Sequence, residues 1–563
     1  MSRPLSIFMT KNNKLKILMC SEASFVHSGF GIYAKELLSR LHKTNKYEIA
    51  EFASYGFVND PRDISIGWKY YANAVKDTDH RHKEYTSRTD NQFGRWRFEK
   101  VLLDFKPDIV IDVRDYWMSA YQGSSPLRKF FHWILMPTVD SSPQQEEWID
   151  TFLDADAIFT YSDWGAEVLK TQSSNKINYI DTVSPGVDID VFKIKNRTDI
   201  KKQLGLPPDS IVVGSVMRNQ KRKLIPELFT TFRKVLDRLE ASNSSLGGNL
   251  YLYLHTSYPD MGWDIPELLR QSRVSNKVLF TYICKNCKTT QCSVFTGPQK
   301  VCEKCMSKTM TFPSVTEGVS SDTLSSIYNI FDLYVQYSIC EGFGMPQVEA
   351  GACGVPIATV DYSAMCDIVK KLKAYPIKIQ TLFKELETKA LRVYPDNEDL
   401  ANYIIDFINR PTPTREKLRY EIQDLAHQQY NWDIIAKKWE KYFDELDSKG
   451  YRSKWNTGNY ETPVAKDSDI DPQTHFDRLI GICNNNFQDT ELIGSHRMLE
   501  LLKNADYGFV QSSATSMAPF DFTNTLDYIN TMINNNNQAE NVKNNNTKFD
   551  EDFITYAHLK STT

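Results

Sequence analysis

The chain has 563 residues, 41% hydrophobic and 25% charged, and a formal net charge of −4. That size and balance describe a globular protein of two or three domains, and exclude a global basic field for coating nucleic acid. No apolar run reaches the ~18 residues of a membrane helix, and the first residues lack the core of a secretion signal.

Cysteine usage sets the compartment. Five of the ten cysteines crowd into Cys284–Cys305 and the rest are scattered. This pattern fits a reducing, cytoplasmic setting with one metal site, and not a disulfide framework.

In chain order, KILMC around Leu18 reads as a strand and Ile32–Leu41 as an amphipathic helix. Phe93–Phe105 reads as a helix leading into the strand DIVIDV (108–113). WILMP (133–137) and AIFTYS (157–162) follow as strands, and DWGAEVLK as a helix. This alternation predicts a parallel sheet covered on both faces. VSPGVDIDVFK (183–193) breaks the rhythm, and KKQLGLPPDS (201–210) reads as a linker between domains.

The rhythm restarts with SIVVGSV (210–216), a helix Pro226–Leu239, LYLYLH (250–255), the helix IPELLRQS and the strand KVLFTYI. After the cysteine cluster come a helix Asp322–Phe331, the strand DLYVQYS (332–338), a glycine-rich turn, a helix Pro346–Cys353 and the strand PIATV. DNEDLANYIIDFINR and YNWDIIAKKWEKYFDEL read as helices that close this second unit near residue 448. The expected domains are therefore 1–200, 201–448 with an insert at 284–305, and an extension 449–563. The extension holds a short helix–strand piece (494–510) and a polar tail with asparagine runs at Asn534–Asn537 and Asn544–Asn546.

The segment with most chemistry is SICEGFGMPQVEAGACGVP (338–356). It leaves a strand and opens a helix, the place where open α/β sheets bind ligands. Gly342 and Gly344 allow close backbone approach, and Pro346 suits a first helical turn. The amides of Phe343, Gly344 and Met345 would then face an anion or hydroxyls. Glu341 and Glu349 flank the turn, and carboxylates accept bonds from vicinal hydroxyls. On spacing alone the segment is equally a glycine-rich turn between two surface glutamates.

The segment Glu341–Glu349, followed by AGACGVP, resembles the E-x7-E signature of retaining GT-B glycosyltransferases, closest to their large family four (glycosyl transferases group 1). The resemblance covers about residues 15–448 apart from the insert. It implies two doubly wound Rossmann-like domains facing across a cleft, with the nucleotide sugar on the second. It assigns Glu341 to the donor sugar, Glu349 to the ribose, and the backbone of Phe343–Met345 to sugar and phosphate. SVMRNQKRKLIPEL (215–228) resembles the family's Arg and Lys five apart, which gives Arg218 and Lys223 the leaving diphosphate, with Lys221 and Arg222 as alternatives. SPGVD (184–188) resembles the turn at the domain junction. HSGFGIYAKEL (27–37) resembles the glycine loop that faces donor and acceptor, here Gly29 and Gly31. The family's histidine after a first-domain strand is replaced in MPTVDSSP by Asp140, a candidate sugar or acceptor contact. His132 reads as structural.

The resemblance implies no catalytic cofactor. Retention is expected by same-face attack, with the leaving phosphate oxygen taking the acceptor proton. The acceptor is a hydroxyl on a glycan, lipid or protein glycan. Two alternatives stay open. One is a DNA-modifying glycosyltransferase, suggested by the basic and aromatic stretch Tyr70–Arg97. The other is a non-catalytic sugar-nucleotide-binding protein. Separately, Cys284-Lys-Asn-Cys287 and Cys302-Glu-Lys-Cys305 form two C-x2-C knuckles, the donor set of a structural Zn²⁺.

Overall fold

A computed structural model describes residues 14–62, 66–314, 317–446, 449–456 and 510–511. Two parallel sheets organise it. The first runs β3-β2-β1-β4-β5-β6-β7, built from β1 (Leu15–Glu22), β2 (Tyr47–Phe57), β3 (Lys69–Ala74), β4 (Ile109–Asp112), β5 (His132–Leu135), β6 (Ala157–Thr160) and β7 (Tyr179–Thr182). The second runs β10-β9-β8-β14-β15-β16, from β8 (Ile211–Val216), β9 (Leu250–His255) and β10 (Val278–Cys284) to β14 (Leu333–Gln336), β15 (Ile357–Val360) and β16 (Tyr375–Ile377). In both sheets the order reverses beside the first strand, the switch point at which α/β sheets open a crevice.

The insert leaves from β10. It contributes β11 (Thr290–Val294), β12 (Gln299–Lys300) and β13 (Met310–Thr311), with β11 and β13 antiparallel to β10. A hairpin of β17 (Ile379–Lys384) and β18 (Leu391–Pro395) stands apart from the sheets. The two-residue β19 (Val510–Gln511) pairs antiparallel with β3. The remainder of the 494–510 piece and the asparagine runs lie outside the described residues.

Burial explains the strands. Every residue of β4, β5, β8 and β14 is buried, as helices on both faces require. The helix Ile225–Ala241 carries Pro226 in its first turn and buries Leu228, Phe229, Phe232, Val235, Leu236 and Leu239, one face at helical spacing.

Two expectations need correction. KKQLGLPPDS is not all linker: a helix Arg197–Gln203 runs into it, and Lys201 is buried against Asp332, 3.5 Å away. The helix Trp432–Glu445, expected to close the second unit, packs on the first. Trp439 stacks on Phe159 at 4.2 Å and its indole donates to the Tyr33 hydroxyl at 2.8 Å. The next helix, Lys449–Asn456, continues there, with Trp455 against Phe130 at 4.6 Å. His132 sits beneath them, its Nε2 2.7 Å from the Tyr442 hydroxyl, and is structural. Among the described residues the chain therefore passes between the halves twice. The two passages lie side by side: Val187 N donates to Tyr430 O at 2.6 Å, and a Cβ on Gly186 would meet Trp432 N at 2.7 Å.

Candidate active site

Gly344 starts the helix Met345–Ala352 with φ +91°, a conformation that favours glycine. Among the described residues no side chain caps this helix, and its first turn holds no acid, so the amides up to Met345 are open to a ligand. Phe343 is buried against Tyr430, which leaves only its backbone for a ligand. Buried Gln347, inside the first turn, has a side-chain oxygen with no partner.

Glu341 is buried beneath this turn and ringed by donors. Lys223 Nζ bonds one carboxylate oxygen, to which Gln336 Nε2 also donates at 2.8 Å, and Arg222 Nη1 donates to the other at 2.9 Å. Burial pushes the Glu341 carboxyl up, but Arg222 and Lys223 outweigh it and hold it down at about 2. Burial and the neighbouring Arg222 push the Lys223 ammonium down to about 8, against the pull of Glu341. At neutral pH the cluster is an ion pair with net positive charge.

Arg218 and Lys223 thus have different surroundings. Lys223 is buried in the Glu341 cluster. Arg218 is partly exposed and paired through Nε and Nη2 with Asp260, at 2.8 and 3.0 Å. Of the two alternative cations, Arg222 joins the cluster, and Lys221 lies one residue away in the same short turn. Glu349, on the helix, receives the Tyr328 hydroxyl at 2.7 Å, and burial pushes its carboxyl up to about 7.

The first half faces this turn closely. A Cβ on Gly342 would meet Thr138 Cγ2 at 2.2 Å. Asp140 reaches across, its Oδ1 accepting from Arg392 Nη1 at 3.0 Å and its Oδ2 3.3 Å from Cys340 Sγ. Asp367 accepts the amides of Asp163 and Trp164 at 2.6 and 3.2 Å, capping a first-half helix from the second half. Gly31 lies in the first turn of the helix Gly29–Lys43, where a Cβ would strike Val26 O at 2.4 Å, whereas Gly29 faces open space. Ser28 caps that helix through the Gly31 amide and donates its hydroxyl to Glu22. Burial raises the carboxyls of Glu22 and Asp115. Asp140 and Glu22 push Asp115 higher, while Thr138 and Arg222 pull it down.

The sequence motifs did not identify Gln336, Tyr328, Asp367, Arg392 or Asp115. Asp115, Tyr328, Asp367 and Arg392 arrive from other segments, and Gln336 from the end of β14, five residues before Glu341, none with a signature of its own. The basic stretch within Tyr70–Arg97 is internally paired: Arg81 bonds Asp79, Arg88 and Arg95 both bond Asp90, and buried Arg97 donates to Ala72 O. In the insert, the sulfurs of Cys284, Cys287, Cys302 and Cys305 all lie within 4.8 Å of one another, a set able to hold a metal ion.

Residues 314–424, which include the glycine turn and both glutamates, match the family described as Glycosyl transferases group 1. An uncharacterized glycosyltransferase of Methanocaldococcus jannaschii is 28% identical over 120 residues, 21% of this chain and 27% of that one. D-inositol 3-phosphate glycosyltransferase of a Mycobacterium species is 27% identical over 205 residues, 36% and 37% of the two chains. The chain thus spans little more than a third, at most, of the length of these curated relatives. Among solved structures, sucrose-phosphate synthase of Thermosynechococcus elongatus superposes with a TM-score of 0.57 at 16% identity, covering 77% of this chain and 99% of that one. Anabaena HepE, in complex with UDP and glucose, gives 0.53 at 14% identity, covering 77% and 100%. The fold is GT-B, and residues 314–424 match the glycosyl transferases group 1 family.

Proposed function

We propose that this protein is a retaining glycosyltransferase that moves a sugar from a nucleotide-sugar donor to a hydroxyl acceptor. The observation that carries the reading is the uncapped glycine turn at Gly344, set over a Glu341 carboxylate that fixes Lys223 and Arg222. Such a site offers amides and cations to a diphosphate, already oriented before the ligand arrives. Glu349 adds a carboxyl that gains by accepting ribose hydroxyls, since burial now disfavours its charge.

In this reading the nucleotide lies on the second half. Glu349 holds the ribose, and the Phe343–Met345 amides hold the phosphates together with Arg218 and Lys223. Glu341 does more than touch the sugar: its carboxylate is the counter-ion that keeps two cations in place. The bond from the anomeric carbon to the diphosphate breaks as the acceptor oxygen bonds to the same face. The acceptor proton passes to the departing phosphate oxygen. No strong general base is required. The close approach of Thr138 to Gly342 supports a site that excludes water, favouring transfer over hydrolysis. Asp140 borders the acceptor side.

The test is nucleotide release from a panel of nucleotide sugars, beginning with UDP-glucose because a structural neighbour holds UDP and glucose. Arg218→Ala should lower the rate at least tenfold, and the anomeric carbon of the product should keep its donor configuration by NMR. Full activity in Arg218→Ala and Glu349→Ala together would sink the site. An inverted product would sink the mechanism.

A further inference from the structure

A continuous path of contacts joins the four thiols of the insert to Arg218. At one end, Cys284 and Cys305 place their sulfurs 3.5 Å apart, and Cys287 and Cys302 place theirs 3.6 Å apart. A disulfide requires about 2.0 Å. Four sulfurs around one ion, each bonded at about 2.3 Å, sit about 3.8 Å apart. The spacing is therefore that of ligands to a shared tetrahedral ion. The two knuckles also fold alike: Lys288 N donates to Cys284 O at 2.9 Å, and Met306 N to Cys302 O at 2.8 Å. β11 pairs with β10 over five residues and Met310 and Phe312 are buried, but the outer part of the ribbon is thinly held. β12 and β13 are two residues each, and Val301 and Met306 are exposed.

The ribbon sends two aromatic rings inward. Phe295 and Phe312 each lie 5.8 Å from Tyr258. Tyr258 belongs to the loop 257–263, which grips the turn after β8 at four points. Asp260 takes both Arg218 bonds. The Ser257 hydroxyl accepts the Asn219 amide at 3.3 Å. The Asn219 side chain bonds the backbone of Trp263 at 2.8 and 2.9 Å. The Trp263 indole donates to Lys221 O at 3.2 Å. Where this loop sits, Arg218 sits.

We propose that Cys284, Cys287, Cys302 and Cys305 bind one Zn²⁺, and that the metal-held ribbon, through Tyr258, positions the 257–263 loop and with it the phosphate-binding Arg218. The second part rests on the role given to Arg218 above. Four thiolates complete a tetrahedral shell, so the metal acts by holding the ribbon and not by touching substrate. Arg218 is then a binding residue whose placement depends on zinc, while Glu349 and the Gly344 turn are reached by no part of this path.

The experiment uses the full chain, purified under reducing conditions, with UDP as probe. Elemental analysis should return one zinc per chain, and Cys302→Ser/Cys305→Ser should remove it. Hydrogen exchange in residues 257–263 should then speed up about tenfold or more while exchange in helix 345–352 stays within twofold. UDP affinity should fall about tenfold in the wild-type background and less than twofold in Arg218→Ala, because a shared route makes the losses non-additive. Tyr258→Ala should keep its zinc and lose the same affinity. Zinc-free wild-type protein with four rapidly alkylated thiols overturns the metal site. Equal affinity losses in both backgrounds overturn the link to Arg218. If wild-type protein binds no UDP, the role of Arg218 fails, and unchanged exchange in 257–263 on zinc loss would still overturn the positioning.

Discussion

Two walls meet at Gly342, and their charges are arranged in opposite ways. On the second-half wall the Glu341 carboxylate is saturated by Lys223, Arg222 and Gln336. On the first-half wall burial disfavours the charges of Glu22 and Asp115, and Arg114, which pulls Glu22 down, is already engaged by Asp112. The first arrangement is rigid and cationic, prepared for an anion. The second is acidic and disfavours charge, and it suits hydroxyls that supply hydrogen bonds.

The sharpest way to break this contrast is Lys223→Ala. It leaves Glu341 buried with one cation fewer, and loss of a buried partner costs about 3–5 kcal/mol. Urea denaturation should show the loss; a change under 1 kcal/mol would mean that Arg222 alone suffices. Arg218→Ala comes next, with the opposite signature. Its pair with Asp260 is partly exposed, so stability should change by no more than about 1 kcal/mol. UDP affinity should nevertheless fall roughly 10–100-fold by calorimetry, the worth of a charged hydrogen-bonded contact.

Glu349 tests the wall by pH. Its carboxyl rises from 4.5 to about 7 on folding, so the stability it contributes is complete below about pH 4.5 and is lost as pH rises through 7. Glu349→Gln should therefore stabilise the unliganded protein at pH 8, by about 1 kcal/mol, and hardly at pH 4.5. UDP binding by the wild type should release a proton near pH 6.5, read by calorimetry in buffers of different ionisation enthalpy. The Gln variant should not. The smallest effect is expected on the first wall. Asp115→Asn should raise the melting temperature slightly at pH 7.5 and lose that advantage toward pH 4, because burial and two acids keep Asp115 above its ordinary value.

The glycine turn was legible because glycine, proline and two carboxylates within a few residues leave few alternatives for the backbone. Cys284–Cys305 was legible for a similar reason, since the ligand spacing is local. β2 was missed because its buried face carries an acid: Glu51 accepts from the Ser24 amide and from the Trp68 indole, which no alternation pattern anticipates. The helix Thr412–Gln429 was missed because it buries only Arg419, Ile422 and Ala426 and so lacks an apolar stripe. Asp367 and Arg392 could not be read at all. Their meaning lies in partners more than 200 residues away.

The side-by-side passages at Val187 and Tyr430 limit how the halves can separate. Because the two segments are bonded to each other, they act, among the described residues, as one paired connection and not as two independent tethers. Any opening is a swing about that axle, with displacement growing with distance from it. A bulky side chain at Gly186 would force the axle apart against Trp432, and under the proposed function it would hinder admission of substrate from a distance.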